Sequence, residues 1–125
     1  MPKLEVFARQ QYLNLETLRK SGVPVRTPVW FTQDGSALFV ITAAEAGKVK
    51  RIRNNGRVNI APCKMDGTPL GEWVPAVARI VSDEATIRQA NQMQDRKYGL
   101  FGRILSLPQK LRGAKTTVLE IRAAE

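Results

Sequence analysis

The chain has 125 residues, which suits one compact domain whose core is large enough to stand without covalent staples. It contains no histidine and a single cysteine, Cys63, which excludes histidine-based triads, imidazole metal sites, an intrachain disulfide and a multi-thiolate zinc site. Twenty basic against eleven acidic side chains leave a net charge of +9, so a polyanionic partner is expected: nucleic acid, an acidic membrane surface or a phosphorylated ligand.

The excess charge is local. Residues 45–64 carry six basic side chains and one acidic, a +5 share of the total, whereas residues 65–94 are net negative. Duplex-binding regions are more often long basic arms or continuous basic helix faces, so the block favours a local anion site. The N-terminal MPKLEVFARQ lacks the pattern of a secretion signal, and no apolar run reaches the roughly 18 residues of a membrane span. A soluble, cytoplasmic protein with no membrane partner is expected.

In chain order, a short N-terminal helix precedes a strand over Tyr12–Leu18, which turns at Lys20-Ser21-Gly22. Val25, Thr27, Val29 and Phe31 then alternate with Arg26, Pro28, Trp30 and Thr32; Asp34-Gly35 interrupts and Ala37–Ile41 resumes, the pattern of a β-hairpin. Pro28 cannot donate to a ladder, so it belongs at an edge or a bulge, where backbone is free to meet something else. Glu45–Asn55 reads as a short helix with Val49 and Ile52 inward and its basic groups outward, ended at Asn55-Gly56. A strand over Arg57–Lys64, a turn at Asp66-Gly67-Thr68-Pro69 and a strand over Trp73–Val81, apolar on both faces, follow. Ser82 or Asp83 caps a helix that runs through Ile87, Ala90 and Met93 to a stop at Tyr98-Gly99. A second helical piece, Leu100–Leu107, ends near Pro108, and Thr116–Ile121 forms the last strand. There is no repeat or linker, so residues 1–125 are expected to form a single mainly β domain, a six-stranded antiparallel barrel with peripheral helices.

The chain lacks the dinucleotide fingerprint and the phosphate loop of nucleotide-binding proteins. A different anion device is present. A strand ending at Thr42-Ala43-Ala44 and entering the helix near Glu45 would present unpaired backbone N–H groups at a positive helix end, with Lys48 and Lys50 beside it. The same lysines also read as a merely solvated face. Cys63 reads as a small buried strand residue, and Asp34, Asp66 and Asp83 as turn or cap residues rather than acid–base catalysts. No paired carboxylates stand out, and no catalytic residue is assigned.

The segments Val25-Arg26-Thr27-Pro28-Val29-Trp30-Phe31, Thr42 through Asn55, Arg57-Val58 and Lys97-Tyr98-Gly99 resemble, in that order, the pyridoxamine 5'-phosphate oxidase-like superfamily of split β-barrel flavoproteins. The similarity is greatest to its branch of deazaflavin (coenzyme F-420)-dependent oxidoreductases. It implies an FMN-binding-like split barrel and a homodimer with the cofactor at the subunit interface. Arg26, Thr27, Pro28, Val29 and Trp30 would lie along the flavin or deazaflavin ring, and Thr42, Ala43, Ala44, Lys48 and Lys50 would hold the phosphate. Arg51 and Arg53 would steer a longer anionic tail, while Trp73 and Tyr98 would either wall the ring pocket or only pack. Many relatives place serine or threonine where this chain has Ala43, Ala46 and Gly47, so backbone N–H groups and lysines must carry the anion.

The implied activity is hydride transfer to an unsaturated small-molecule substrate, with protonation by solvent or by Tyr98. F-420, whose tail is a string of carboxylates, suits the +5 block better than FMN with its single phosphate. Two other readings stand beside it. One is a single-stranded nucleic-acid-binding small barrel, against which the hairpin aromatics fail to interleave with basic residues as a stacking platform would. The other is a non-catalytic FMN- or haem-binding protein.

Overall fold

A computed structural model describes residues 4–106 and 115–124, the stretch 100–106 by its backbone alone. A single 3-10 turn, Glu5–Phe7, takes the place of the expected N-terminal helix. Seven strands and two helices follow: β1 Tyr12–Leu18, β2 Pro24–Val29, β3 Thr32–Asp34, β4 Ala37–Ala43, α1 Gly47–Asn54, β5 Arg57–Cys63, β6 Val74–Val81, α2 Glu84–Ser106 and β7 Thr116–Ala123. The expected end of the second helical piece, Leu107 and Pro108, lies outside the described residues.

The strands form one antiparallel sheet in the order β2-β1-β5-β6-β7-β4-β3. The two edge strands are neighbours in sequence, separated by Trp30 and Phe31 alone. A flat sheet of seven strands would hold its edges about 29 Å apart at the usual spacing of about 4.8 Å. The three peptide steps from Val29 to Thr32 reach about 11 Å at most. The sheet therefore has to curl until its edges approach, and the short link closes a split barrel.

This corrects the sequence reading of residues 24–34. The segment expected as one hairpin strand is two strands, which gives seven rather than six. β2 pairs with β1 through Leu13–Val29 and Glu16–Arg26, while only β3 forms the hairpin with β4, around Gly35 at φ +59°. The physical reason lies at Phe31. Its ring is fully buried and packs edge-on against Phe7, with centroids 5.9 Å apart. Its backbone N–H and C=O are both taken by side chains of α2, so neither is free for a ladder.

Inside the curl, alternate residues of five strands make the core: Leu13 and Leu15, Leu38 and Val40, Val58 and Ile60, Ala76 and Ala78, Leu119 and Ile121. Val49 and Ile52 of α1 plug one opening, as their helical spacing requires. A second cluster sits outside the barrel, where α2 lays Ala90, Ile87 and Met93 over Ala37, Phe39, Val81 and Val118. Asp83 starts α2 by accepting from the Thr86 N–H at 3.0 Å, and Gly99, at φ 74° and ψ 166°, breaks its helical path. That backbone region is open essentially to glycine alone.

Candidate functional site

β2 is an edge strand, so one side of its backbone has no ladder partner, and Pro28 lies there opposite Asn14. The strand pairing points Arg26 and Pro28 to the outer face, and Thr27 and Val29 toward the barrel interior. Arg26 is held at both ends of its planar head. Its Nε donates to Glu16 at 2.7 Å, and its guanidinium carbon lies 4.9 Å from the centroid of the Trp73 ring. Glu16 is 9% exposed and also accepts from Asn59 Nδ2 at 3.0 Å. Burial raises its pKa, but the bonds from Arg26 and Asn59 outweigh it and hold the carboxyl below its usual range. Trp73, half-buried, also forms a wall of a groove of about 510 Å³ with Val6, Glu72, Val74 and Pro75.

The second part of the site is the passage from β4 into α1. Thr42 and Ala43 pair with Thr117 and Thr116, and the Ala44 N–H donates to the Lys115 carbonyl at 3.0 Å. Ala44 is thus spent within the fold, and so is the Ala46 N–H, which donates to the Ala43 carbonyl. Helix geometry leaves the N–H groups of Gly47 and Lys48 without intrahelical acceptors, and Ala46, at the cap position, has no side-chain oxygen to offer. Lys48 is half-buried; burial and then the Arg51 charge push its ammonium down from the ordinary lysine value. Lys50 is exposed. Arg51, expected outward, turns back: its Nε donates to the hydroxyl of fully buried Thr17 on β1 at 2.6 Å. Lys48, Lys50 and Arg53 have no acidic partner among the described residues.

The third part is the bend at Trp30. The Trp30 and Tyr98 rings stack with centroids 3.9 Å apart and planes 4° from parallel. The Tyr98 hydroxyl lies 2.7 Å from the Gln11 carbonyl and 2.9 Å from the Phe31 carbonyl, and accepts from the Phe31 N–H at 3.1 Å. Burial pushes its pKa up to about 12. Lys97 Nζ donates to the same Phe31 carbonyl at 2.8 Å, and burial pushes its pKa down to about 8. Tyr98 is therefore committed to packing and to backbone hydrogen bonds, which makes it a poor proton source.

The structure brings Arg26 onto Trp73 and Trp30 onto Tyr98. Among the described residues, no hydrogen bond, ion pair or ring contact links Lys48 or Lys50 to the β2 residues; both elements instead flank β1, α1 through Arg51 and β2 through its ladder. The sequence reading gave no role to Glu16 or Asn59, and Lys97 entered it only as part of the Lys97-Tyr98-Gly99 segment. Lys115 was also missed, although the ladder between β4 and β7 carries its backbone to Ala44. The turn at Lys20-Ser21-Gly22 contained the signal for Glu16, since a strand pair centred there sets it opposite Arg26. Cys63 is buried as expected, with its thiol pushed up by burial and by Asp66.

The seven-stranded curled antiparallel sheet is a split-barrel fold, and solved structures share that fold. The heme storage protein HutZ from Vibrio cholerae superposes with a TM-score of 0.71 at 18% identity, over 97% of this chain and 87% of that one. A FAD-binding protein from Mesorhizobium loti gives 0.70 at 15% identity, over 97% and 86%. A protein named F-420 reductase gives 0.62 at 22% identity, over 98% and 93%. The family model for pyridoxamine 5'-phosphate oxidase matches residues 3–125, and the chain belongs to that family, which includes flavin-binding oxidoreductases. No curated protein sequence matches the chain.

Proposed function

We propose that the protein is an oxidoreductase that binds coenzyme F-420, in preference to FMN, and catalyses hydride transfer to an electron-poor unsaturated small molecule. The observation that carries this reading is the start of α1, where the Gly47 and Lys48 N–H groups have no intrahelical acceptor and Lys48, Lys50 and Arg53 have no acidic partner among the described residues. A phosphate with a carboxylate tail would pair with those groups, and three cations on one short helix suit a tail better than one terminal phosphate. When bound, the ring supplies the two-electron redox chemistry.

The residues of this chain then bind and orient. The unpaired side of β2 offers backbone donors and acceptors along Arg26–Trp30, interrupted at Pro28, which has no N–H to give. Arg26 and Trp73 form one wall, and the stacked Trp30 and Tyr98 fill space at the other end of the strand. With the Tyr98 hydroxyl committed, protonation of the product falls to solvent.

The proposal includes a homodimer with the cofactor between subunits. Val77 is 49% exposed in mid-strand, cross-strand from Arg57 and Arg122, an apolar spot on the outer face that a second copy would cover. It also places the protein in the cytoplasm; no described helix is long and apolar enough to cross a membrane. The similarity to HutZ supports a second reading, haem binding, but in a chain without histidine any haem would have to be ligated without imidazole.

The test is titration of the purified protein with F-420, FMN and haem, followed by ring fluorescence and absorbance, beside a labelled single-stranded oligonucleotide at two salt concentrations. Saturable F-420 binding that weakens in Lys48→Ala and Lys50→Ala, but not in Lys20→Ala at the exposed turn between β1 and β2, is the expected result. Tight oligonucleotide binding with no response to any ring would sink the proposal.

A further inference from the structure

We propose that Lys97 and Tyr98 of α2 are positioning residues for the cofactor site, holding the free edge of β2 in its ring-binding shape; this inference rests on the oxidoreductase reading above. The chain leaves one edge of the sheet at Val29 and joins the opposite edge at Thr32, and between them no ladder holds it. Side chains of α2 do so instead. Lys97 Nζ and the Tyr98 hydroxyl meet at the Phe31 carbonyl at 2.8 and 2.9 Å, and the Phe31 N–H donates to the same hydroxyl at 3.1 Å. One residue thus has both backbone groups satisfied by a helix 66 and 67 positions further along the chain.

The same hydroxyl reaches the Gln11 carbonyl at 2.7 Å, at the mouth of β1. Because Leu13 pairs with Val29, Gln11 and Phe31 flank the open end of the β1–β2 ladder, and Tyr98 fastens both sides of it. The Tyr98 ring covers one face of Trp30, which leaves a ligand the other face or the edge. Lys97 adds a contact to the buried Phe31 ring, its Nζ 3.7 Å from the centroid. Gly99 breaks the helix directly after the pair, fixing where these two side chains leave α2. The bend is over-determined far beyond what a surface loop of two residues needs, and what it governs is the line of the β2 edge from Arg26 to Trp30.

The experiment compares Lys97→Met, Tyr98→Phe and their double variant with Lys97→Arg and with Ile60→Val, which loosens the core at β5, two strands from β2 in the sheet. Dissociation constants for F-420 and FMN are read by ring fluorescence, and thermal midpoints and amide exchange of β2 are read without cofactor. Lys97→Met and Tyr98→Phe are expected to weaken ring binding about tenfold each, and less than additively together, because both hold the backbone of one residue, Phe31. Both should speed amide exchange in β2. Lys97→Arg should restore binding to within about twofold, since it keeps a charged donor. Ile60→Val should lower the thermal midpoint and leave binding unchanged. If the wild type binds a ring and the Lys97 and Tyr98 variants bind it equally well, the positioning role is wrong while the oxidoreductase reading survives. If the wild type binds neither ring, that reading fails and takes this one with it. Should Tyr98→Phe fail to fold, Lys97→Met decides alone, because it keeps the Trp30–Tyr98 stack.

Discussion

Replacing Lys97 by methionine removes an ammonium held in largely apolar surroundings, and its signature is a change in how stability depends on pH. Burial pushes the Lys97 pKa from 10.5 down to about 8, while the Phe31 carbonyl and ring hold the head in place. Between those two values the unfolded chain keeps a proton that the folded chain has released. Stability from this group is therefore complete above about 10.5 and is lost as pH falls through about 8. At about 1.36 kcal/mol for each tenfold change in proton affinity, the gross effect is roughly 3 kcal/mol. Water reaching a half-buried ammonium screens it to about 1–2 kcal/mol. The Cys63 thiol and the Tyr98 hydroxyl, both pushed up, act with the opposite sign as pH rises, so the useful quantity is the difference between wild type and variant. Urea unfolding is measured from about pH 7.5 to about pH 10 for both proteins, and the wild type should gain about 1–2 kcal/mol on Lys97→Met across that range. Parallel stability curves would refute the picture of a desolvated ammonium at the barrel seam.

Glu16, held below the usual carboxylate range by Arg26 and Asn59, contributes stability that is present above its unfolded pKa and lost as pH falls through the lower folded value. Glu16→Gln should cost about 1–2 kcal/mol at neutral pH and flatten the acid limb of the stability curve, read by circular dichroism. At Gly99, nothing among the described residues lies within 4 Å of an added Cβ, so Gly99→Ala isolates the backbone cost; about 1–3 kcal/mol should appear as a lower thermal midpoint. On α1 the cations should divide by role. Arg51→Met strips the buried Thr17 hydroxyl of its donor and should lower stability by about 1–2 kcal/mol, whereas Lys50→Ala should leave stability within about 0.5 kcal/mol and weaken only anion binding.

Signals that span a few residues were legible in the sequence. Val49 and Ile52 face inward because helical spacing puts them on one stripe, Asp83 caps α2, and the stop at Tyr98-Gly99 is the break at Gly99. The edge position of Pro28 followed from its missing N–H. The division of residues 24–34 between two sheet edges was not legible, because Val25, Thr27, Val29 and Phe31 keep an unbroken two-residue period. What removes Phe31 from the ladder is Tyr98, 67 residues away, and no local pattern carries that information. Arg51 is a second case: the helix pattern marks it as polar, but only the packing of α1 against β1 supplies Thr17 to turn it inward.

Charge and aromatic rings together favour the proposed ring over a single-stranded nucleic acid as the partner of this basic chain. A stacking platform needs exposed aromatic faces along a basic groove. Among the described residues Phe7, Phe31 and Phe39 are buried, Tyr12 is half-buried, Trp30 and Tyr98 stack on each other, and Trp73 carries the Arg26 guanidinium. The arginines of the outer sheet face are largely committed as well: Arg26 to Glu16, and Arg79 and Arg122 to Glu120, at 2.7 to 3.3 Å. Lys48, Lys50 and Arg53 on α1, by contrast, are free of acidic partners among the described residues, beside a helix start with open N–H groups. Among the described residues the unpaired positive charge is thus gathered on α1, as the proposed phosphate site requires, rather than spread along a groove lined with aromatic rings. An oligonucleotide should accordingly bind weakly and be released by modest salt, because phosphate contacts without stacking leave counterion release as its main driving force.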